Sequence, residues 1–513
     1  MKLRILSLLL CLAVMVSLTP SCLADASAPQ VQALADSILA SQLQAAGAAD
    51  PQAWLNGSLA DTAGMGAEWF VFALSQQGDY DFSAYQAKLR AYLAENKVPS
   101  ASTRLKYALV LRATGLADPY VDTAMQDAIG QQGIMSWVYG LHMMTNGCRS
   151  DAVGVEEVIS TILSLQFADG GWALNGTASD VDITAMTLQA LAPYADRAEV
   201  STAIDRALAL LSQRQMEDGG FTSYGRPNPE SAAQVLLALT ALGIDGLQDA
   251  RFIRNGRTLL DAMAAYQLPD GSISHLLGGP ASQMAAVQVY MACLAWQRFT
   301  QGQPALYLLD HAMTQSEPQP ITAPLGYKPI AVAVIAALAL IGCLLLLIRK
   351  KRSPKNYLAL LVIAALLIAG VLTTDIQSAD SYYTAPAAAP AEPVGSVTLS
   401  IRCDTVKGLA DHIPSDGVIL PQTSFSIGKD DTVYSILTRA AKTHRIHLES
   451  SGAPGMVYVT GIANLYEFAY GDLSGWNYFV NGESASVGCD QYILKNGDVI
   501  EWHYTRALGE DLK

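Results

Sequence analysis

Six polar residues stand where apolar-periodic segments begin: Glu68, Arg104, Ser136, Asp182, Glu230 and Gln283. Two roles fit them. As helix caps and first-turn acids they satisfy orphan backbone N–H groups and the positive helix end. As a set on one rim they form a polar lining for a ligand. Trp172, Phe221 and Tyr224 lie just upstream of two of these openings. Their rings suit either stacking on a flat ligand or packing between helices. No spacing points to a metal. His142, His275 and His311 stand apart from Cys148 and Cys293, there is no CxxC, and His444 with His447 reads as a solvated pair on a polar helix end.

The elements that position these residues are helical repeats. From about residue 30 to 315 the chain lacks strand-like alternation and is rich in good helix formers. Three stretches repeat: Gln166-Phe-Ala-Asp-Gly-Gly-Trp172, Gln215-Met-Glu-Asp-Gly-Gly-Phe221 and Gln267-Leu-Pro-Asp-Gly-Ser-Ile273. Their spacing is about 50 residues, as in arrays of helical hairpins. Each ends one periodic segment and precedes another, and Asp-Gly permits a tight turn. Weaker relatives start at Glu68, Thr103 and Ser136. Six hairpins follow, and six can close into an α/α toroid, since one hairpin cannot bury its apolar face alone.

The Q-x-x-D-G-G-W/F stretches resemble those of the terpene cyclase and prenyltransferase superfamily, which implies an α/α toroid with a central cavity. Asp180-Val-Asp-Ile-Thr-Ala-Met186 resembles the D-x-D-D-T-A acid motif of squalene–hopene cyclases, with Ile183 where the last Asp belongs. For an enzyme, that resemblance assigns Asp182 as general acid. The same run is similar to V-D-x-x-A-M in the non-catalytic vitamin B12 carriers. The ligand set of the zinc-dependent prenyltransferases and the thioester stretch of complement-like toroids are both absent from the sequence.

The chain has 513 residues, 51% hydrophobic and only 15% charged, so its apolar surplus needs an address. Residues 1–28 read as a secretory signal peptide. Segments 329–348 and 357–373 read as two transmembrane helices around a basic loop, 349–356, containing Arg349, Lys350, Lys351, Arg352 and Lys355. Basic loops stay cytoplasmic, which places both large domains outside the cell membrane. A net charge of −14 argues against a nucleic-acid partner.

An Ala/Pro linker, 374–394, leads to a different periodicity in 395–508. Val397–Arg402 alternates as a strand, a capped helix starts near Asp431, and Gly475–Gly482 is a strand ending in an Asn-Gly turn. Tyr492–Tyr504 reads as a hairpin about Asn496-Gly497. Cys403 and Cys489 are either bridged or lone thiols. The G-W-N-Y-F-V-N-G and L-K-N-G-D-V-I-E-W-H-Y motifs resemble the transcobalamin-like C-terminal domain (DUF4430), a soluble-ligand-binding β-grasp module.

The expected fold is therefore multi-domain: an all-α (α/α)6 toroid (29–320), a membrane hairpin and a small α+β domain. The B12 carriers share this domain order and hold a corrinoid between toroid and module, which adds Trp476 and Tyr478 as lid contacts. The expectation is a membrane-anchored extracytoplasmic protein binding cobalamin or another corrinoid, without a covalent cofactor, and handing it to an uptake transporter. A terpene cyclase-like enzyme and a surface adhesion protein are the alternatives.

Overall fold

A computed structural model describes residues 27–309 and 393–512, except Thr177, Tyr224, Asp411, His412 and Ser486, together with a few isolated positions between the two stretches. Nearly all of the signal segment and of the expected membrane hairpin, and most of the linker, lie outside the described residues. Among the described residues, no helix is long and apolar enough to cross a membrane.

The first stretch is a ring of helical hairpins. Six inner helices, α3 (Glu68–Ser75), α5 (Ala101–Ala113), α7 (Gly133–Thr145), α9 (Val181–Leu191), α11 (Pro229–Ala241) and α13 (Gln283–Thr300), each pack on the next, and α13 packs on α3. The ring therefore closes. Six outer helices precede them in turn: α1 (Ser27–Ala46), α4 (Ser83–Glu95), α6 (Pro119–Asp127), α8 (Val155–Ser164), α10 (Ala198–Arg214) and α12 (Leu259–Ala264), with a short α2 (Pro51–Trp54) between α1 and α3. Nearly every side chain of α11 is buried, as an inner position requires, whereas α10 buries one stripe, including Val200, Ile204, Ala207 and Leu211.

The repeated motif is the stitching of this ring. The Gln215 amide donates to Gly219 O and to Phe252 O, each at 2.8 Å, and Gln166 does the same to Gly170 O and Ala203 O. Asp218 accepts from Gly220 N at 3.0 Å, tightening the turn. A Cβ at Gly219 would lie 2.6 Å from Thr258 O. At Gly271 it would lie 2.9 Å from Ser37 O, so the last turn seats on α1 and helps close the circle. Trp172 and Phe221 fill the space beneath the turns and are fully buried.

A short hairpin, β1 (Phe221–Ser223) with β2 (Arg226–Asn228), enters α11. The helical periodicity masked it, because three-residue strands are too short to show alternation.

The second stretch holds a five-stranded sheet in the order β4-β3-β10-β8-β9: β4 (Val418–Ile427), β3 (Gly395–Arg402), β10 (Val499–Thr505), β8 (Gly475–Val480) and β9 (Glu483–Ser484). Helix α14 (Val433–His444) lies against it, with Thr432 as N-cap in a reciprocal capping box with Ser435. A smaller sheet joins β5 (Leu448–Ser451), β6 (Tyr458–Ile462) and β7 (Leu465–Tyr466). Asn481-Gly482 forms the expected turn, both residues with positive φ, between β8 and β9.

The expected hairpin about Asn496-Gly497 is corrected. Strand β10 pairs in parallel with β3 and antiparallel with β8, while Tyr492–Asn496 forms no partner strand. The turn docks on β3 instead: Asn496 Oδ1 accepts from Ser396 N, and Gly497 N donates to Ser396 O, both at 2.8 Å. Cys403 and Cys489 are buried free thiols, so the bridge is not formed.

Candidate functional site

The C-terminal domain sits over the mouth of the ring formed by the N-terminal ends of the inner helices. Four rim loops touch it. Ala453 N donates to Met65 O at 2.9 Å, before α3, and Gly66 leaves room for the Met456 side chain. Gln132, capping α7, reaches Asp472 O at 3.4 Å, and Asn175, in the loop before α9, donates to Ala507 O at 3.0 Å. Arg226, on the hairpin before α11, lies 3.5 Å from the Glu483 carboxylate and from Ser484 O. Between these contacts lies a cleft of about 780 Å³. Gly133 and Leu174 line it from the ring, and Thr405, Tyr470, Asp472, Arg506 and Asp511 line it from the domain above.

The rim also carries an acid cluster. Asp180 caps α9, its Oδ1 accepting from Asp182 N and Ile183 N, and its Oδ2 accepting from the Ser223 hydroxyl at 2.7 Å. Burial, and then the neighbouring Asp180, push the Asp182 carboxyl up to about 7, with Glu230 adding to the effect and Ser231 and Ser223 opposing it. Glu230 pairs with His275 Nδ1 at 2.7 Å. Asp182 Oδ1 and Glu230 Oε2 are both enclosed without a hydrogen-bond partner, a costly state that an added donor would relieve.

The six rim residues divide by what already holds them. Glu68 is fully buried and accepts from Gly64 N and Gly66 N, with Lys106 at 3.4 Å, so it fixes the loop that meets Met456. Arg104 is paired with Asp127, and Ser136 donates to Gly133 O and accepts from Gln132 N. These three shape loops. Gln283 is half-buried at the start of α13. Asp182 and Glu230 alone among the six are brought together with unsatisfied oxygens.

The aromatic residues are placed differently. The Trp172 indole donates to Ile162 O inside the ring's core. Trp476 donates to Leu465 O, and the Tyr478 hydroxyl to Val487 O, both within the core of the C-terminal domain. Tyr224 lies outside the described residues. The cleft residues Tyr470, Asp472 and Arg506 escaped sequence reasoning because they sit in loops without a motif. Among the described residues, no group of three or more His, Cys, Asp or Glu side chains could hold a metal ion.

Parts of the chain are similar to known proteins. Over 224 residues the chain is 26% identical to drimenyl diphosphate synthase of Streptomyces showdoensis, covering 43% of this chain and 41% of that one. It thus spans about two fifths of the length of the curated relative it matches. Among solved structures, haptocorrin in complex with Cbi is similar with a TM-score of 0.49 at 12% identity, over 94% of this chain and 98% of that one. The ent-copalyl diphosphate synthase of Streptomyces platensis is similar with a TM-score of 0.33 at 18% identity, over 49% and 51% of the two chains. Residues 430–506 match the family model described as Domain of unknown function (DUF4430), the transcobalamin-like module to which the motifs of β8 and β10 had pointed.

Proposed function

We propose that this chain is an anchored extracytoplasmic binding protein that holds cobalamin or another corrinoid between the ring's rim and the C-terminal domain. The observation that carries this reading is the cleft of about 780 Å³ walled by both domains. Its size falls in the ordinary range for small-molecule sites. Toroid, then transcobalamin-like module, is also the domain order of the B12 carriers that the sequence motifs resemble. Leu174 and Tyr470 offer apolar area, while Asp472, Arg506 and Asp511 offer a few polar anchors. Titrating the full chain with cyanocobalamin, followed by corrinoid absorbance, tests the reading. Saturable binding is expected, and no binding of any corrinoid sinks it. The apolar runs 329–348 and 357–373 supply the anchor in this proposal, and an uptake transporter is the proposed recipient.

A second reading has one specific observation in its favour. A carboxyl raised to about 7 is suited to act as general acid, and the chain is similar to a diphosphate synthase over part of its length. Ile183 counts against it, because a supporting acid is missing. In this reading Asp182→Asn abolishes turnover of a polyprenyl substrate by the full chain. Absence of turnover in the unsubstituted protein removes it.

A further inference from the structure

Three inner-helix starts bring polar groups together at the mouth under the C-terminal domain. Asp182 lies in the first turn of α9, Glu230 in the first turn of α11, and His275 in the loop before α13. The described lining of the cleft includes none of the three. First-turn acids commonly cap their helix or answer its positive end. Here the caps are other residues, Asp180 on α9 and Asn228 on α11. Asp182 and Glu230 are spare to that work.

Glu230 is only 6% exposed. Its Oε1 meets His275 Nδ1, and its Oε2 is enclosed without a hydrogen-bond partner. Asp182 Oδ1 is enclosed and unpartnered as well. The serine hydroxyls beside Asp182 do not fill the gap, because each has one hydrogen to give. Ser223 gives its hydrogen to Asp180 Oδ2 at 2.7 Å, and Ser231 to Asn228 Oδ1 at 3.0 Å. The charged groups acting most strongly on Asp182 are two more acids, Asp180 and Glu230. Burial, then Asp218 and Glu230, push the nearby Tyr266 hydroxyl up to about 12, so it stays neutral. A buried acceptor without a partner calls for an explanation, and here there are two, on adjacent inner helices. Asp182 and His275 are each half-buried, which leaves a way in from the mouth.

We propose that Asp182 and Glu230 form a site for the primary ammonium group of a small amine, separate from the ligand of the cleft. An ammonium carries three N–H donors and a positive charge, so it answers both orphan oxygens and offsets the acids around them. His275 holds Glu230 Oε1 and so leaves Oε2 for the ligand. A metal ion brings no donors, and among the described residues no group of three or more His, Cys, Asp or Glu side chains could hold one.

The test uses the full chain and butylammonium as probe, by calorimetry at pH 8, with 1-butanol and butyltrimethylammonium as controls. The first control lacks the charge, and the second keeps it without any N–H. Butylammonium is expected to bind one-to-one and about tenfold or more tightly than either control. Glu230→Gln weakens it about tenfold. Burial, and then Asp180, hold the Asp182 carboxyl at about 7, so at pH 6 the amine must displace a proton. The probe itself stays charged, as a lysine side chain does. Affinity therefore falls about tenfold from pH 8 to pH 6, and binding at pH 6 releases about one proton, read by comparing buffers of different ionisation enthalpy. Asp182→Asn abolishes that release. The release is measured in the unsubstituted chain, so it does not depend on any variant folding. It also needs no corrinoid, so a chain that binds no cyanocobalamin still tests this site. Three results overturn the proposal: no one-to-one butylammonium binding, equal binding of either control, or no proton released at pH 6. A proton shared between Asp182 and Glu230 in place of a ligand would give the first of these.

Discussion

The two mouths of the ring differ in what covers them. At the mouth under the C-terminal domain, the rim loops leave a cleft and two enclosed carboxylate oxygens without partners. The opposite mouth, at the C-terminal ends of the inner helices, is closed by the chain itself. Segment 304–309 lies across it. Tyr307 stacks on His142 with centroids 4.4 Å apart, Asn146 bonds Tyr307 O and Leu309 N, and Arg298 bonds Pro304 O. A void of about 60 Å³ lies there, lined by His142, Leu237 and Tyr307 among others. Both mouths bury a titratable group. One leaves its polar atoms wanting, and the other covers its histidine with a tyrosine.

The largest expected effect breaks the plug. Tyr307→Ala removes a buried ring from a site that also packs Trp69 and Phe72. A loss of about 3 kcal/mol in denaturant unfolding is expected, as for large-to-small changes at aromatic positions. Ligand binding in the cleft stays near its original affinity. If binding falls in step with stability, the two mouths are not independent.

A second prediction gives the mouths opposite pH dependence. Burial lowers His142 to about 3, below the ordinary histidine value. The unfolded chain then binds a proton that the folded chain does not, so stability drops as pH falls from about 6.5 toward 3. Asp182 is raised to about 7, and the folded chain holds a proton that the unfolded chain releases. Its contribution is therefore full below the unfolded carboxylate value and is lost as pH rises through about 7. His142→Phe, which keeps the stack on Tyr307, flattens the acid limb of a melting-temperature profile. Asp182→Asn flattens the limb approaching neutrality. Parallel changes in both variants would show that the two groups do not titrate separately.

The smallest effect sharpens the contrast at the contact between rim and module. Arg226 and Glu483 are both well exposed, with side chains 43% and 80% accessible, so their ion pair contributes little. Arg226→Glu sets like charges against each other and is expected to weaken cleft binding roughly threefold to tenfold at low salt. The difference should fade as salt is raised, because exposed charges are screened. A loss that persists in high salt would mean that the hairpin shapes the cleft rather than merely touching its cover.

The repeats were legible because their chemistry is local. Gln215 bonds Gly219 O and Asp218 bonds Gly220 N, each within a few residues, and so they recur as a pattern. The same holds for the Asn481-Gly482 turn and for the Thr432 cap. Roles along the rim were not equally legible. Glu68 and Glu230 both open inner helices, yet Glu68 is satisfied by backbone N–H groups two and four residues away, while Glu230 meets a histidine 45 residues on. Trp476 and Trp172 share the composition of stacking residues, but each indole found a backbone carbonyl in a core.

By itself, the sequence determined the ring of hairpins, the change to an α+β module and the order of the two. These follow from periodicity and turn chemistry, which act over a few residues. Only the tertiary structure decided which mouth is open, which carboxylate oxygens lack partners, and that Asn496-Gly497 feeds a parallel strand instead of a hairpin. Each of those depends on burial and on partners distant in the chain. Desolvation, which lifts Asp182 and lowers His142, is set by everything packed around a group and not by its neighbours in sequence.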